Sequence, residues 1–252
     1  METARVLALT GAHIVMANRN IPASEKVKQA ICDEAKGFVP KIDILQPDLS
    51  SLESVRQAAD EFSLKRWYVN LMHSTVNCCA GPLHILLLNA GLTSWNGELS
   101  VDGYERTFAV NHLGHFYLSI LLMKKLRESA PSRLVVVSSL LHAQTGVCLE
   151  IIRKIRFLLG LAREQVNAHK RLFKCVAFLL RSFGKTLEQG AATTVYCAAS
   201  PEIANESGRY YCDCAAADNK LAKELADDEE LQDALQKYSN RMTYRASIEL
   251  NN

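Results

Sequence analysis

The stretch His84-Ile85-Leu86-Leu87-Leu88-Asn89-Ala90-Gly91 (HILLLNAG) decides the fold. An apolar run without polar alternation is what a strand covered on both faces requires. Gly81-Pro82 stands just before it, and it stops at Asn89-Ala90-Gly91. Arg133–Ser138 (RLVVVS) is a second strand of the same kind, and Gly103–Glu128 between them carries a long helical pattern. Strand, helix and strand at this spacing predict a βαβ unit, and so a parallel sheet with a right-handed crossover.

The same alternation continues towards the N-terminus. Lys41–Leu45 (KIDIL) suits a short strand, with a helix predicted before it over Asn20–Ala35 and another after it over Ser51–Phe62. Ser50 is the expected N-cap of the latter, with Glu53 three residues on as its capping-box partner. Ala12–Ala17 (AHIVMA) reads as a strand and residues 2–10 as a helix, in which Ala4, Leu7 and Ala8 share a face. Gly11 fits the C′ position of that helix. Towards the C-terminus the pattern changes. A helix is expected over Glu188–Ala199, a short strand over Arg209–Asp213 and an acidic helix from about Asn219 to Tyr238.

Composition bounds the partners. The chain has 252 residues, 48% of them apolar, which is enough for one sizeable core, so 1–252 reads as a single domain. Lys+Arg minus Asp+Glu is 29 − 27 = +2, which gives no electrostatic case for a nucleic-acid partner. No run approaches the ~18 uncharged apolar residues of a membrane span. The start METARVLALTG lacks the pattern of a secretory leader, so the expected location is cytoplasmic. Eight cysteines include one C-C pair and one C-x-C, far apart. That spacing makes no metal hook, so no metal is expected and the thiols read as reduced and structural. Residues 151–185 hold nine Lys or Arg against one acid, Glu164. They read either as core helix with a solvated face or as a segment adsorbing to an anionic membrane surface.

Four strings occur in order: Pro47-Asp48-Leu49-Ser50, Asn89-Ala90-Gly91, Val110-Asn111-His112-Leu113-Gly114-His115-Phe116 and Val135-Val136-Val137-Ser138-Ser139. Together they resemble the short-chain dehydrogenase/reductase family. The closer resemblance is to its retinol-dehydrogenase-like members, including those whose oxidoreductase domain is joined to WW modules. It covers roughly residues 1–145 and 170–240. Trp67 and Trp95 lie inside the α/β pattern, so no WW module is read here.

The resemblance implies a Rossmann-type doubly wound parallel sheet. It also implies an oxidoreductase, NADP-linked (or NAD-linked), converting alcohol and carbonyl groups of a lipophilic small molecule such as a retinoid or steroid. Asp48, with Leu49 beside it, would contact the adenine. Asn18 and Arg19 would end the second strand of the family's sheet beside the ribose, and Arg19 tilts the cofactor to NADP. Asn89, Ala90 and Gly91 would line the cofactor. Asn111 would hold a proton-relay water, and Ser139 would hydrogen-bond the substrate oxygen. Read without the resemblance, Asn89 caps a strand end, Ser139 forms a turn and Arg19 is a solvated loop charge.

The chain departs from the family pattern in two places. The family's T-G-x-x-x-G-I-G turn precedes the helix with which this chain begins. None of Tyr68, Tyr104, Tyr117, Tyr196, Tyr210, Tyr211, Tyr238 and Tyr244 has a lysine four residues later, as the family's Tyr-x-x-x-Lys pair requires. The expectation is a partial, truncated sheet lacking the first strand and the catalytic-helix and sixth-strand region. Cofactor binding would then be weak or absent and the chain catalytically incomplete, with His142, three residues after Ser139, the candidate replacement acid/base. The alternative is a non-catalytic interaction protein, membrane-peripheral through residues 151–185. In the order 3-2-1-4-5-6 the first strand is central. Without it AHIVMA and HILLL pair directly, or are unstable, or take a strand from another chain, which leaves a homo- or hetero-oligomer open.

Overall fold

A computed structural model describes residues 1–64, 81–94, 97–139, 185–221 and 226–249. Helix α1 (Glu2–Leu9) ends where Gly11 takes φ +91°. The Gly11 N–H donates to Ala8 O at 3.0 Å and the Ala12 N–H to Leu7 O at 3.2 Å. This is the Schellman closure that the glycine predicted, because only a residue without Cβ takes this φ freely. Strand β1 (Ile14–Ala17), helix α2 (Ile21–Glu34) and strand β2 (Ile42–Leu45) follow. Asn20 starts α2, its Oδ1 accepting the Ala23 N–H at 3.0 Å, with Pro22 in the first turn, where no amide is needed.

Strands β1 and β2 run parallel, Ile14 beside Ile42 through to Ala17 beside Leu45. Alternation then splits their side chains between two layers. Ile14, Met16, Ile42 and Ile44 pack with Ala8, Val27 and Ile31 of α1 and α2. Val15 and Leu45 face the other way, onto Ala58, Ala59 and Phe62 of helix α3 (Leu52–Leu64).

Strands β3 (Ile85–Leu88) and β4 (Arg133–Val136) form a second parallel pair, Ile85 beside Arg133 through to Leu88 beside Val136. Leu86 and Leu88 join the cluster of Val15, Leu45 and α3, closed from above by Leu122 and Leu126 of helix α5 (Gly114–Glu128). A buried leucine of this kind contributes about 1.5–3 kcal/mol. Both strand pairs therefore rest on one α3–α5 layer. Among the described residues they are nonetheless two separate two-stranded sheets, so β1 and β3 do not pair directly.

Three expectations need correction. The helix predicted from Gly103 starts later, since Gly103 holds φ +79° in a turn. It begins as α4 (Arg106–Phe108), passes through a π segment (Ala109–Leu113) and continues as α5. Ser50 does not cap α3. The Ser51 Oγ accepts the Ser54 N–H at 3.3 Å, and Glu53 instead pairs with Arg56 at 2.8 Å. The acidic helix is displaced: Asp218–Lys220 is a 3-10 turn, and the long helix, α7, spans Glu229–Glu249. Its Tyr238 and Met242 pack on Leu52, Val55, Leu113 and Tyr117.

Helix α6 (Leu187–Ala199) starts with the capping box Thr186/Gln189, and its C-terminal end is tied to β4. Arg133 donates to Cys197 O at 3.1 Å and to Ser200 O at 2.6 Å. Strands β5 (Tyr211–Cys212) and β6 (Ala215–Ala216) make a short antiparallel hairpin. Residues 151–184, His142, Trp67 and Trp95 lie outside the described residues.

Candidate functional site

In an open parallel sheet, ligands bind beyond the carboxyl ends of the strands. The predicted residues leave from those ends. Asn18 and Arg19 follow β1, Asp48 and Leu49 follow β2, Asn89, Ala90 and Gly91 follow β3, and Ser139 follows β4.

The β1 and β2 ends are stitched together. The Asn18 N–H continues the ladder to Leu45 O at 2.9 Å, and its side-chain amide donates to Ser24 Oγ at 3.1 Å. Gln46 donates to Arg19 O at 3.2 Å. Asp48 Oδ1 accepts from the Ser50 N–H at 2.9 Å and the Ser50 hydroxyl at 2.6 Å. The Ser54 hydroxyl takes the Asp48 N–H at 2.9 Å. Burial pushes the Asp48 carboxyl up. The Ser50 hydroxyl and amide, with Arg19 and Arg106 nearby, outweigh it and hold the group below the usual carboxylate value. Asp48 is thus a fixed, ionised acceptor. Arg19 stands 3.7 Å from its Oδ2 with a side chain 60% exposed, so this pair adds little stability and leaves the guanidinium available.

The β3 end is held by the π segment. Such a segment takes in one extra residue and re-aims the side chains around it. Asn111 lies inside it. Its Oδ1 accepts the Leu92 N–H at 2.8 Å and its Nδ2 donates to Leu92 O at 2.9 Å, a two-point clamp on the residue after Gly91. The Ser94 N–H, two residues on, donates to Thr107 Oγ1 at 3.1 Å. The His115 Nδ1–H donates to the Asn111 main-chain oxygen at 3.2 Å. Burial pulls the His115 pKa down against the pull of that hydrogen bond, so the ring is neutral near pH 7.

Gly114 joins the two ends. A Cβ there would stand 2.5 Å from Leu49 O and 3.0 Å from Leu49 Cβ, so only glycine lets α5 approach the Asp48 turn this closely. At Gly91 the nearest atom to an added Cβ would be Asn111 Oδ1, at 3.7 Å, an ordinary contact. The protein's own packing thus does not demand glycine at 91.

Asn89, Ala90 and Ser139 are exposed. The Val137 N–H donates to Leu88 O at 2.9 Å, which carries the ladder past β4 and sets Ser139 at the same edge as Asn89.

Sequence reasoning missed Gly114, His112, His115 and the π segment. The one signal on offer was a glycine inside a helical pattern, which often marks close backbone approach. His112 donates its Nε2–H to Ser239 Oγ at 2.8 Å, because the Ser239 hydroxyl itself donates to Leu235 O at 2.8 Å. Burial, with His115 nearby, lowers the His112 pKa.

Among the described residues no group of three or more His, Cys, Asp or Glu is placed to hold a metal ion, and no helix is long and apolar enough to cross a membrane. A depression of about 610 Å³ between α5 and α7, lined by Tyr117, Ile120, Asn240, Arg241, Thr243 and Tyr244, shares no residue with the strand-end site.

Comparison with known proteins matches residues 1–149 to the short chain dehydrogenase family. The WW domain-containing oxidoreductase of Danio rerio is 34% identical over 257 residues, covering 84% of this chain and 58% of that relative. Its Homo sapiens counterpart is 33% identical, with the same coverage of 84% and 58%. Retinol dehydrogenase 11 of Homo sapiens is 30% identical, covering 86% of this chain and 74% of that protein. The chain thus spans a little over half the length of the first two. Among solved structures, an uncharacterized protein from Mycobacterium Paratuberculosis superposes with a TM-score of 0.55 at 24% identity, covering 96% of this chain and 88% of that one. At that identity the likeness speaks for the fold alone.

Proposed function

The chain belongs to the short-chain dehydrogenase family, and from that premise we propose that its strand-end site is built for NADP. Its ancestral activity would be NADP-linked conversion of alcohol and carbonyl groups on a lipophilic small molecule, such as a retinoid or steroid. The observation that carries this reading is the joining of two strand-end loops through one continuous helical run. Gly114 brings α5 onto the Asp48 turn, and Asn111 clamps the loop after Gly91.

The residues fit the adenine end of such a cofactor. Asp48 is a fixed anionic acceptor suited to an exocyclic amino group. Arg19 keeps an exposed guanidinium beside it, suited to a 2′-phosphate. Asn18 shapes the intervening turn through Ser24. Asn89, Ala90 and Gly91 form an exposed edge along which a flat group can lie. A bound nicotinamide dinucleotide supplies the hydride. Ser139 orients the substrate oxygen. Asn111, whose amide is used on Leu92, offers its main-chain oxygen to a water, in competition with the His115 ring.

The acid/base role is the weak point. No tyrosine among the 252 residues has a lysine four residues on, and the 252 residues hold no G-x-x-x-G-x-G string to cradle a pyrophosphate. Ser139 and Asn111 have no pKa suited to proton transfer at neutral pH. We therefore read this chain as a scaffold that keeps the adenine end and the orienting groups, with weak cofactor affinity and no turnover at a rate typical of the family.

Titration with NADPH, followed by its fluorescence, tests the reading. Binding weaker than about 100 µM, further weakened by Asp48→Ala, is expected. A low-micromolar dissociation constant, about −8 kcal/mol, would contradict the weak-affinity part. Equal binding by the Asp48→Ala variant would contradict the site.

A further inference from the structure

We propose that Cys197 and Cys214 form a thiol–disulfide site that fastens the β5–β6 hairpin to helix α6. Three of the four described cysteines, Cys197, Cys212 and Cys214, lie in this one region, all as free thiols. Cys212 and Cys214 are the C-x-C of the sequence, and the strand-end site does not use them.

The hairpin turn is unusual. Its two central residues, Asp213 at φ 54° and Cys214 at φ 59°, both take the left-handed conformation of a type I′ turn. Asparagine, aspartate and glycine fill such positions at low strain, and a cysteine does not. Strain held at a non-glycine residue needs surrounding structure to fix it. Here that structure is Thr193 of α6. Its Oγ1 accepts the Cys214 N–H at 3.2 Å and lies 3.9 Å from Cys214 Sγ.

Cys197 follows Thr193 by one helical turn and so stands on the same face, where i and i+4 side chains are neighbours. The turn thus delivers the Cys214 thiol onto the stripe of α6 that carries Cys197. Electrostatics agree with this placement: burial and the neighbouring Cys214 push the Cys197 thiol up, so Cys214 is felt at Cys197. Lys185 pairs with Asp213 beside the turn, and both Cys212 and Cys214 favour its ammonium form.

The roles follow from exposure, since Cys214 is exposed and Cys197 half-buried. The Cys214 thiolate attacks one sulfur of a low-molecular-weight disulfide such as oxidised glutathione, forming a mixed disulfide and expelling one thiolate. Cys197 then loses its proton to solvent and attacks Cys214 Sγ. The second glutathione thiolate leaves, and each leaving thiolate takes up a proton. Two protein thiols are oxidised while one small disulfide is reduced to two thiols. The product joins the hairpin to the helix that Arg133 holds against β4.

Trypsin separates the partners, because Cys197 lies in peptide 186–209 and Cys212 and Cys214 in peptide 210–220. The full chain is incubated with oxidised glutathione, its remaining thiols are alkylated, and the digest is analysed by tandem mass spectrometry without reduction. The expected product is 186–209 joined to 210–220, with fragment ions placing the bond on Cys214 and dithiothreitol reversing it. A Cys197→Ser variant is expected to stop at glutathione on Cys214. The proposal is overturned if the bond falls on Cys212, or if 210–220 closes internally between Cys212 and Cys214. It is equally overturned if Cys214 stays alkylatable in the Cys197→Ser variant. The wild-type digest needs no variant to fold.

Discussion

The two strand pairs have the same length, direction and layer beneath them, yet they are covered differently. Strands β1 and β2 are packed on both faces, by α1 and α2 on one side and α3 on the other. In β3–β4, Leu86 and Leu88 are buried, while their register partners Leu134 and Val136 are 40% and 65% exposed. The site inherits this difference. Asp48, beyond β2, is fixed by hydrogen bonds to Ser50 and Ser54, whereas Ser139, beyond β4, extends from a strand whose apolar side chains meet solvent. Ordering a side chain takes packing to offset its lost freedom. The comparison therefore separates an Asp48 turn held by its own hydrogen bonds from Ser139, which leaves a strand whose Leu134 and Val136 are exposed.

Core truncations should expose the asymmetry most strongly. Leu88→Ala is expected to lower stability by about 2–5 kcal/mol, and Val136→Ala by less than about 0.5 kcal/mol, read as urea midpoints. Similar losses from both would mean that β4 is covered after all. The close approach at Gly114 comes next. Gly114→Ala sets a Cβ against the backbone of Leu49, which cannot rotate away, and should cost about 1–3 kcal/mol in thermal unfolding. Gly91→Ala, with its 3.7 Å contact, should stay near wild type. Asn111→Ala removes both hydrogen bonds to Leu92 and is expected to cost about 1–2 kcal/mol, given ~0.5–1.5 kcal/mol per bond.

A smaller effect concerns pH. His112 and His115 are held below their ordinary pKa by burial. Their neutral burial stabilises the fold fully above about pH 6.5, the unfolded value, and that contribution is lost as pH falls towards the folded values. Urea unfolding should therefore show lower stability at about pH 5.5 than at about pH 7.5, a window above carboxylate titration. His112→Asn should flatten that slope. An unchanged slope would show that the buried titrating group lies elsewhere.

The elements and the parallel pairing within each βαβ unit were legible, and the contacts between distant segments were not. Gly11, Asn20 and the apolar runs of β1 to β4 are local signals, and each acts within a few residues of itself. The π segment was invisible because Val110-Asn111-His112-Leu113-Gly114 satisfies a helical period whether or not one residue is added to the turn. The contact of His112 with Ser239 spans 127 residues, beyond any periodicity argument. Periodicity also finds strands without saying which lie side by side, so the separation of β1 from β3 had to come from the structure. Asp48, Asn89, Asn111 and Ser139 were singled out through the order of four strings. How firmly each is held depends on packing that those strings do not encode.

Hydride transfer tests the central claim most directly. The full 252-residue chain is mixed with NADPH and retinal or a steroid ketone, and NADPH oxidation is followed beside a Ser139→Ala variant. General acid/base assistance alone contributes about 10²–10⁴-fold, and no Tyr-x-x-x-Lys pair supplies it here. The expected result is oxidation at the buffer background in both samples. Turnover well above background that disappears in the Ser139→Ala variant would contradict the account.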